Sequence, residues 1–158
     1  MPSSVGAFAD AVNDRLREGL AERRPRFEWS REYRLAGTPV DVAGVTPDRL
    51  VAVELEWRRA DPADNTAKLF RHLHEGSIDR RATVCQVFTG YYDLVSGGVS
   101  SKRRNAEFVG RTAERTRPDL SYHAVEFGLD PPKRGAERPP GWVDAADSVA
   151  ERVASLVG

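Results

Sequence analysis

Hydrophobic residues along this chain recur at two spacings, and the two spacings alternate from segment to segment. Near the N-terminus one apolar residue follows another every four positions, which predicts a helix over residues 3–23. The apolar face of this helix consists of Phe8, Val12, Leu16 and Leu20. Farther along, apolar and polar side chains alternate over three short segments, which is typical of strands with one face buried.

The three predicted strands cover residues 26–35, 40–44 and 50–57. The apolar residues assigned to one face of the first strand by their shared parity are Phe27, Trp29, Tyr33 and Leu35. The turns between the three strands are short, so neighbouring strands are expected to pair as an antiparallel meander.

Helical and strand patterns continue to alternate in the second half of the chain. A helix is predicted from about Pro62 to about Ile78, because Asp61 is a favourable N-cap and proline is well tolerated in a first turn. The remaining segments are a buried strand at 83–90, a helix at 102–116, a strand at 120–128, a Pro- and Gly-rich loop at 129–141 and a helix at 142–157.

The predicted order of elements is helix, three strands, helix, strand, helix, strand, helix. Strands that are joined through a helix favour parallel pairing, whereas the first three strands favour antiparallel pairing. The fold class predicted is therefore α/β, with a mixed five-stranded sheet flanked by helices. No internal repeat is visible, and a chain of 158 residues is expected to form a single domain over residues 1–158.

Composition limits the classes of function. The 24 basic residues balance the 24 acidic ones, which argues against a strongly basic protein that coats nucleic acid but leaves room for a local basic patch. The single cysteine, Cys85, excludes an intramolecular disulfide and a multi-cysteine zinc site. Neither a transmembrane run nor a secretory signal is evident, so we expect no membrane association and a cytoplasmic location.

Acidic residues interrupt the apolar pattern on two strands that are expected to pair. Asp41 lies between Val40 and Val42, which are predicted to point to the opposite face. Glu54 and Glu56 share one face of the third strand, and pairing of the strands brings Asp41 next to them. Three converging carboxylates repel one another, and a cation such as Mg²⁺, which prefers oxygen ligands, relieves that repulsion. The alternative is a solvated sheet face, on which alternating charges are common.

The stretch "PVDVAG … VAVELEW" resembles the core motif of the PD-(D/E)XK nuclease superfamily. That motif places an acid on the second strand and an acid-x-Lys pattern on the third strand. Here Asp41 is followed by twelve intervening residues and then by Glu54-Leu55-Glu56. The extended segment "ELEWRRADPADNTAKLFRHLHE" is similar to a segment of some type II restriction endonucleases with a Glu-x-Glu motif, and the resemblance covers roughly residues 5–95.

This resemblance implies a restriction-endonuclease-like fold and a Mg²⁺- or Mn²⁺-dependent endonuclease that hydrolyses DNA by metal-activated water. It also implies a homodimer or a partner protein. The alternative is a protein that keeps the fold but acts as a nucleic-acid-binding or protein-binding module without catalysis.

Roles carry over position by position. Asp41 and Glu54 match metal ligands, and the carbonyl oxygen of Leu55 is implied as a further ligand. Glu56 occupies the position at which the superfamily usually has lysine, so it is either a general base or second-metal ligand, or a sign of lost activity.

Accessory residues of such nucleases also have candidates in this chain. Lys68, on the next helix, could replace the missing lysine, and Glu22 is the candidate for the acid that the family often takes from its first helix; the alternative for both is an exposed surface residue. Candidates for phosphate contact, with exposed helix surface as the alternative, are Arg71, His72, Lys102, Arg103 and Arg104.

Overall fold

The secondary-structure elements follow one another in the predicted order. The computed structural model describes residues 4–35, 37–75, 80–133 and 135–157. Its helices are α1 (Ser4–Arg23), α2 (Pro62–His74), α3 (Ser101–Thr116) and α4 (Trp142–Val157). Its strands are β1 (Glu28–Leu35), β2 (Thr38–Val45), β3 (Arg49–Glu56), β4 (Arg81–Phe88) and β5 (Leu120–Glu126), and a 3₁₀ turn spans Gly90–Tyr92.

The five strands form one mixed sheet in the order β1-β2-β3-β4-β5. Strands β1, β2 and β3 pair antiparallel, whereas β3, β4 and β5 pair parallel. This difference follows from the connections, because tight turns return the chain alongside itself and the crossovers through α2 and α3 carry it back to the same end of the sheet. The predicted α/β class, the mixed sheet and the flanking helices are confirmed.

Each face of the sheet has its own hydrophobic core. Helices α1 and α4 cover one face, where Leu16 and Val149 are fully or almost fully buried. Helices α2 and α3 cover the other face. The sheet residues on the α1/α4 face include Val42, Val51, Val53, Leu55, Cys85, Val87 and Val125. Those on the α2/α3 face include Leu35, Val40, Ala43, Leu50, Ala52, Ala82, Val84 and Tyr122.

The alternation of side chains along β1 and β2 changes face in mid-strand, contrary to the parity expected from the sequence. Trp29 packs in the α1/α4 core, but Tyr33 packs against the α2/α3 core. On β2, Val42 and Val40 likewise belong to opposite cores. The prediction that residues of one parity share a face is therefore wrong for both strands.

The cause is a break in the pleat at Glu32 and Asp41. Glu32 has a φ of 52°, in the left-handed region that strand residues do not adopt. The β1–β2 register runs through Arg31↔Val42, skips these two residues and resumes at Tyr33↔Val40. The irregularity therefore lies directly opposite Asp41.

Several element boundaries differ from the prediction. Strand β4 runs from Arg81 to Phe88 rather than over 83–90, because it pairs with β3 from its first residue. Helix α2 ends at His74. The last turn predicted for it includes Ile78, which lies outside the described residues, as does Ser3 at the start of the first helix. The described part of the chain contains no helix that is long and apolar enough to cross a membrane.

Close packing of α3 against β5 generates the first testable prediction. A Cβ atom added to Gly110 would lie 2.5 Å from ring atoms of Tyr122, which is closer than nonbonded carbon atoms approach. We expect Gly110→Ala to lower the free energy of unfolding by about 1–3 kcal/mol through overpacking, although alanine ordinarily stabilises a helix. Urea denaturation measures the change. Gly128→Ala is the control, because no atom lies within 4 Å of its added Cβ; a more stable Gly110→Ala protein would contradict the packing.

Candidate metal centre

The three predicted carboxylates lie where strands β2 and β3 stop pairing. The β2–β3 register ends at Val42↔Val53, whereas β3 continues to pair with β4 as far as Glu56↔Phe88. Beyond that point the Asp41 side chain bridges the two strands, since the backbone N–H of Leu55 donates to Asp41 Oδ2 at 2.8 Å. The break in the pleat opposite Asp41 accompanies this arrangement. We call Asp41, Glu54 and Glu56 the acid site.

Glu54 and Glu56 are buried on the α2/α3 face of the sheet, at 7% and 0% exposure. Asn65, from the first turns of α2, donates one amide group to both of them. Its Nδ2 atom lies 3.0 Å from Glu54 Oε2 and 2.8 Å from Glu56 Oε1. The solvated-face alternative is therefore wrong for these two residues, because α2 covers them.

A second amide side chain reaches Glu56 from β4. Gln86 donates from Nε2 to Glu56 Oε1 at 3.2 Å and to Thr66 Oγ1 at 2.7 Å. The Tyr122 hydroxyl donates to Gln86 Oε1 at 2.6 Å, which fixes the orientation of the amide. One oxygen of Glu56 is therefore held by a network that extends across β3, β4 and β5.

Burial raises the pKa of each carboxyl in the acid site. For Glu54, burial and then the charge of Asp41 raise the pKa to about 8. The pKa values of Asp41 and Glu56 are also raised, mainly by burial. Hydrogen bonds oppose the shift, from the Leu55 N–H at Asp41 and from Asn65 and Gln86 at Glu56. The protein thus holds three acids in a place that disfavours their ionised forms.

The other oxygen of Glu56 is incompletely satisfied. Glu56 Oε2 is buried and accepts no hydrogen bond. The Arg59 guanidinium lies nearby, with its Nε atom 3.6 Å from that oxygen. An unpartnered buried carboxylate oxygen is costly and is therefore available to a ligand that supplies positive charge.

These residues fit a hard divalent cation by their chemistry. All three side chains offer oxygen, which Mg²⁺ and Mn²⁺ prefer, and a cation would offset the burial of negative charge. They are not already assembled as a cage, since the described residues contain no group of three or more His, Cys, Asp or Glu arranged to hold a metal. Binding of a cation would therefore require the Glu54 and Glu56 side chains to give up amide hydrogen bonds.

The predicted accessory residues have other neighbours in the described structure. Lys68 is half exposed and its Nζ lies 3.6 Å from Asp64 Oδ2. Glu22 is exposed and lies beside Arg15, on the side where α1 faces α4. Neither one forms a described contact with the three carboxylates, so their proposed roles stay predictions.

Helix α1 instead brings two other acids toward Asp41. Arg31 donates to the backbone oxygen of Asp41 at 3.3 Å and pairs with Asp10 and Asp14. The negative charge of Asp10 also contributes to the raised pKa of Asp41. These two acids could have been paired from the sequence, because Asp10 and Asp14 are four residues apart on one helix and therefore share a side of it.

The candidates for phosphate contact have different surroundings. Arg71 is exposed and pairs with Glu75, and the His72 ring nitrogen Nε2 lies 2.9 Å from Thr38 Oγ1. Lys102 and Arg104 are exposed at the start of α3. Arg103 is buried, with its guanidinium over the Phe88 ring and paired with Glu107 and Glu126. Nucleic-acid binding by these residues stays a prediction.

In comparisons with known proteins, no protein-family model matches the chain, and no curated protein matches it. Two residues of the site were missed from the sequence. Asn65 and Gln86 carried no recognisable signal, because an isolated amide in a helix or strand is most often an ordinary polar residue.

The raised pKa of Glu54 generates a prediction about pH. The unfolded carboxyl ionises near 4.5, whereas in the folded protein the pKa is about 8. The unfolded state releases its proton first, so folding stability falls as the pH rises through this interval. Glutamine does not ionise, so Glu54→Gln removes the contribution of this carboxyl to the pH dependence of stability. We expect the unfolding free energy of Glu54→Gln to exceed that of wild type by about 1–3 kcal/mol at high pH. Denaturant unfolding in EDTA between about pH 5 and pH 9 measures the difference. The exposed Glu151→Gln is the control, and equal pH profiles for wild type and Glu54→Gln would refute the prediction.

The shared amide of Asn65 generates a second prediction. Asn65→Ala removes the amide that donates to Glu54 Oε2 and leaves Glu56 Oε1 with only the longer hydrogen bond from Gln86. We expect a loss of about 1–3 kcal/mol in unfolding free energy at neutral pH. Thermal melting in EDTA compares it with Asn105→Ala, which alters an exposed asparagine of α3. A loss no larger than that of the control would show that the amide does not stabilise the acid site.

Proposed function

We propose that this protein is a Mg²⁺-dependent endonuclease that hydrolyses phosphodiester bonds of DNA. The observation that carries the proposal is the acid site itself. Three carboxylates from two adjacent strands are held together where their pKa values rise, and one oxygen of Glu56 has no hydrogen-bond partner. Such an arrangement is unfavourable for stability alone, and a function that requires a cation accounts for it.

The fold supports the same proposal. We infer a restriction-endonuclease-like fold from the order α1, β1, β2, β3, α2, β4 and from the antiparallel β2–β3 pair followed by parallel β4. Asp41 and the Glu54-Leu55-Glu56 segment occupy positions in this order that resemble those of the PD-(D/E)XK motif. The resemblance combines two features: the spacing of the acids along the chain and the pairing of the strands that carry them. Neither feature is specific to the family when it is taken alone.

Each residue of the acid site has a proposed role. Asp41 and Glu54 would hold the divalent cation, with the Leu55 carbonyl as a further ligand, and Glu56 would serve as a second ligand or as a general base. The chemistry supplied by a cation bound there is activation of water and neutralisation of phosphate charge. Asn65 holds Glu54 and Glu56 close to one another, and Gln86 fixes the orientation of Glu56.

The proposal includes the surroundings of the enzyme. Lys102 and Arg104, exposed at the start of α3, are candidates for contact with DNA phosphates. Cleavage of both strands of a duplex in one binding event is achieved most simply with two acid sites, which favours a homodimer or a partner protein. A reducing, cytoplasmic compartment suits the buried free thiol of Cys85.

The second candidate function is a nucleic-acid-binding or protein-binding module without catalysis. It is favoured by Asn65 and Gln86, whose amides already donate three hydrogen bonds to the oxygens of the buried glutamates. In this reading Glu54 is kept protonated by burial, and the acid site has no need of a cation. The two functions differ in their response to metal and in cleavage.

The prediction that tests the proposed function combines cleavage with metal binding. Supercoiled, linear and single-stranded DNA are incubated with wild type, Asp41→Asn and Glu54→Gln in Mg²⁺ or Mn²⁺. We expect wild type to cleave and each variant to be slower by about 10²-fold or more, because a ligand of the cation is lost. We also expect Mg²⁺ to raise the melting temperature of wild type but not of Glu54→Gln, since a ligand stabilises the state that binds it.

The exposed Glu151→Gln on α4 is the matched control, because it makes the same chemical change outside the acid site. Equal cleavage by wild type and Glu54→Gln would place the chemistry elsewhere. No cleavage of any DNA, together with no Mg²⁺-dependent change in melting temperature, would favour the binding module.

A further inference from the structure

We infer that Arg59 binds the phosphate group presented to the acid site and that Tyr92 is the residue that positions it. This inference rests on the proposed function and adds a positively charged side chain to the acid site. Strand β3 carries two acids and no basic side chain between Leu50 and Trp57, so a phosphate approaching the acid site needs positive charge from another segment. The loop that follows β3 supplies it.

Arg59 lies at the mouth of the acid site. Among the described residues, it alone forms an ion pair with one of the three carboxylates, with Nε 3.6 Å from Glu56 Oε2. The Arg59 side chain is 56% exposed, whereas the Glu56 side chain is fully buried. Burial raises the pKa of both Asp41 and Glu56, and the charge of Arg59 opposes that rise. The guanidinium therefore connects the buried acids to solvent, which is where a phosphate would arrive.

The Arg59 guanidinium is free to make new hydrogen bonds. Its contact with Glu56 is too long for a hydrogen bond, and its side chain donates none in the described structure. The neighbouring arginines are engaged elsewhere: Arg58 donates to the carbonyl oxygens of Pro131 and Pro132, and Arg31 pairs with residues of α1. A guanidinium with unused donors in a planar fork is well suited to bind phosphate.

The backbone of Arg59 is held in place by Tyr92. The Arg59 N–H donates to the Tyr92 hydroxyl at 2.7 Å, and that hydroxyl donates to the Arg59 carbonyl at 3.0 Å. Tyr92 is fully buried, and its ring packs edge-on against Phe88. Thr89 holds the same loop two residues before Arg59, because its hydroxyl donates to the Trp57 carbonyl at 2.7 Å. A loop held at both points keeps the Arg59 Cα in one place, as a preorganised binding group requires.

The closing experiment measures DNA binding as well as cleavage. Binding of a mixed-sequence DNA duplex is followed against salt concentration in Mg²⁺, in the Glu54→Gln background, with Arg59 intact, as Arg59→Ala or as Arg58→Ala. Removal of one phosphate contact reduces the slope of log affinity against log salt by about 1. We expect this reduction for Arg59→Ala and an unchanged slope for the matched control Arg58→Ala.

Cleavage is compared in the otherwise wild-type protein. We expect Arg59→Ala to reduce the single-turnover rate constant by about 10²–10³-fold, because charge stabilisation at the phosphate is lost. Arg59→Lys should retain part of the rate, and Arg58→Ala should remain close to wild type. Tyr92→Phe keeps the buried ring and removes the hydroxyl. It should slow cleavage when Arg59 is present and add nothing to the loss in Arg59→Ala, an outcome that a purely structural role would not produce.

The outcomes separate this inference from the proposed function. A reduced salt slope for Arg59→Ala in a protein that cleaves no DNA supports the phosphate contact and rejects the nuclease. Cleavage by wild type with Arg59→Ala equal to Arg58→Ala in both rate and slope overturns the role of Arg59 and leaves the nuclease intact. Absence of salt-dependent DNA binding in the protein with Arg59 intact also overturns the inference.

Discussion

The structure depends on how three carboxylates, of which Glu54 and Glu56 are buried and Asp41 is partly buried, are kept beside one another. Each carboxylate loses hydration on burial, and neighbouring negative charges increase the cost. Hydrogen bonds offset part of this cost, among them those from the Leu55 N–H to Asp41, from the Asn65 amide to both glutamates and from the Gln86 amide to Glu56. One oxygen of Glu56 has only the distant Arg59. Under the proposed function, a cation would act at that oxygen and a phosphate at Arg59.

The carboxylates can lie together because the β2–β3 pairing and the β3–β4 pairing end at different residues of β3. Strand β3 stays paired with β4 to its last residue, while its pairing with β2 stops earlier, at Val42↔Val53. The left-handed residue Glu32 interrupts the β1–β2 register opposite Asp41. As a result, the Asp41 carboxylate can take the Leu55 N–H as its partner. Backbone irregularity of this kind costs energy and tends to occur at functional sites, which agrees with the proposed role of Asp41.

Sequence patterns predicted the architecture well, because it depends on local periodicity and connection length. The four-residue spacing of α1 and the tight turns between the first strands required no knowledge of distant contacts. The same patterns failed at Trp29 and Tyr33, which share parity but pack on opposite faces. Alternation assumes an unbroken pleat, and the reversal depends on a single φ angle at Glu32. An exposed glutamate in a strand gives no sign of such an angle in advance.

By itself, the sequence determined that Asp41, Glu54 and Glu56 would lie on adjacent strands, since strand pairing follows from their spacing and from the short turn between them. Only the tertiary structure decided what surrounds them. Asn65, Gln86 and Arg59 come from α2, β4 and the loop after β3, and their distances to the acids depend on how those elements pack. The physical reason is that spacing along a chain constrains neighbours within one element or hairpin. Contacts between separate elements are set by the packing of the whole core.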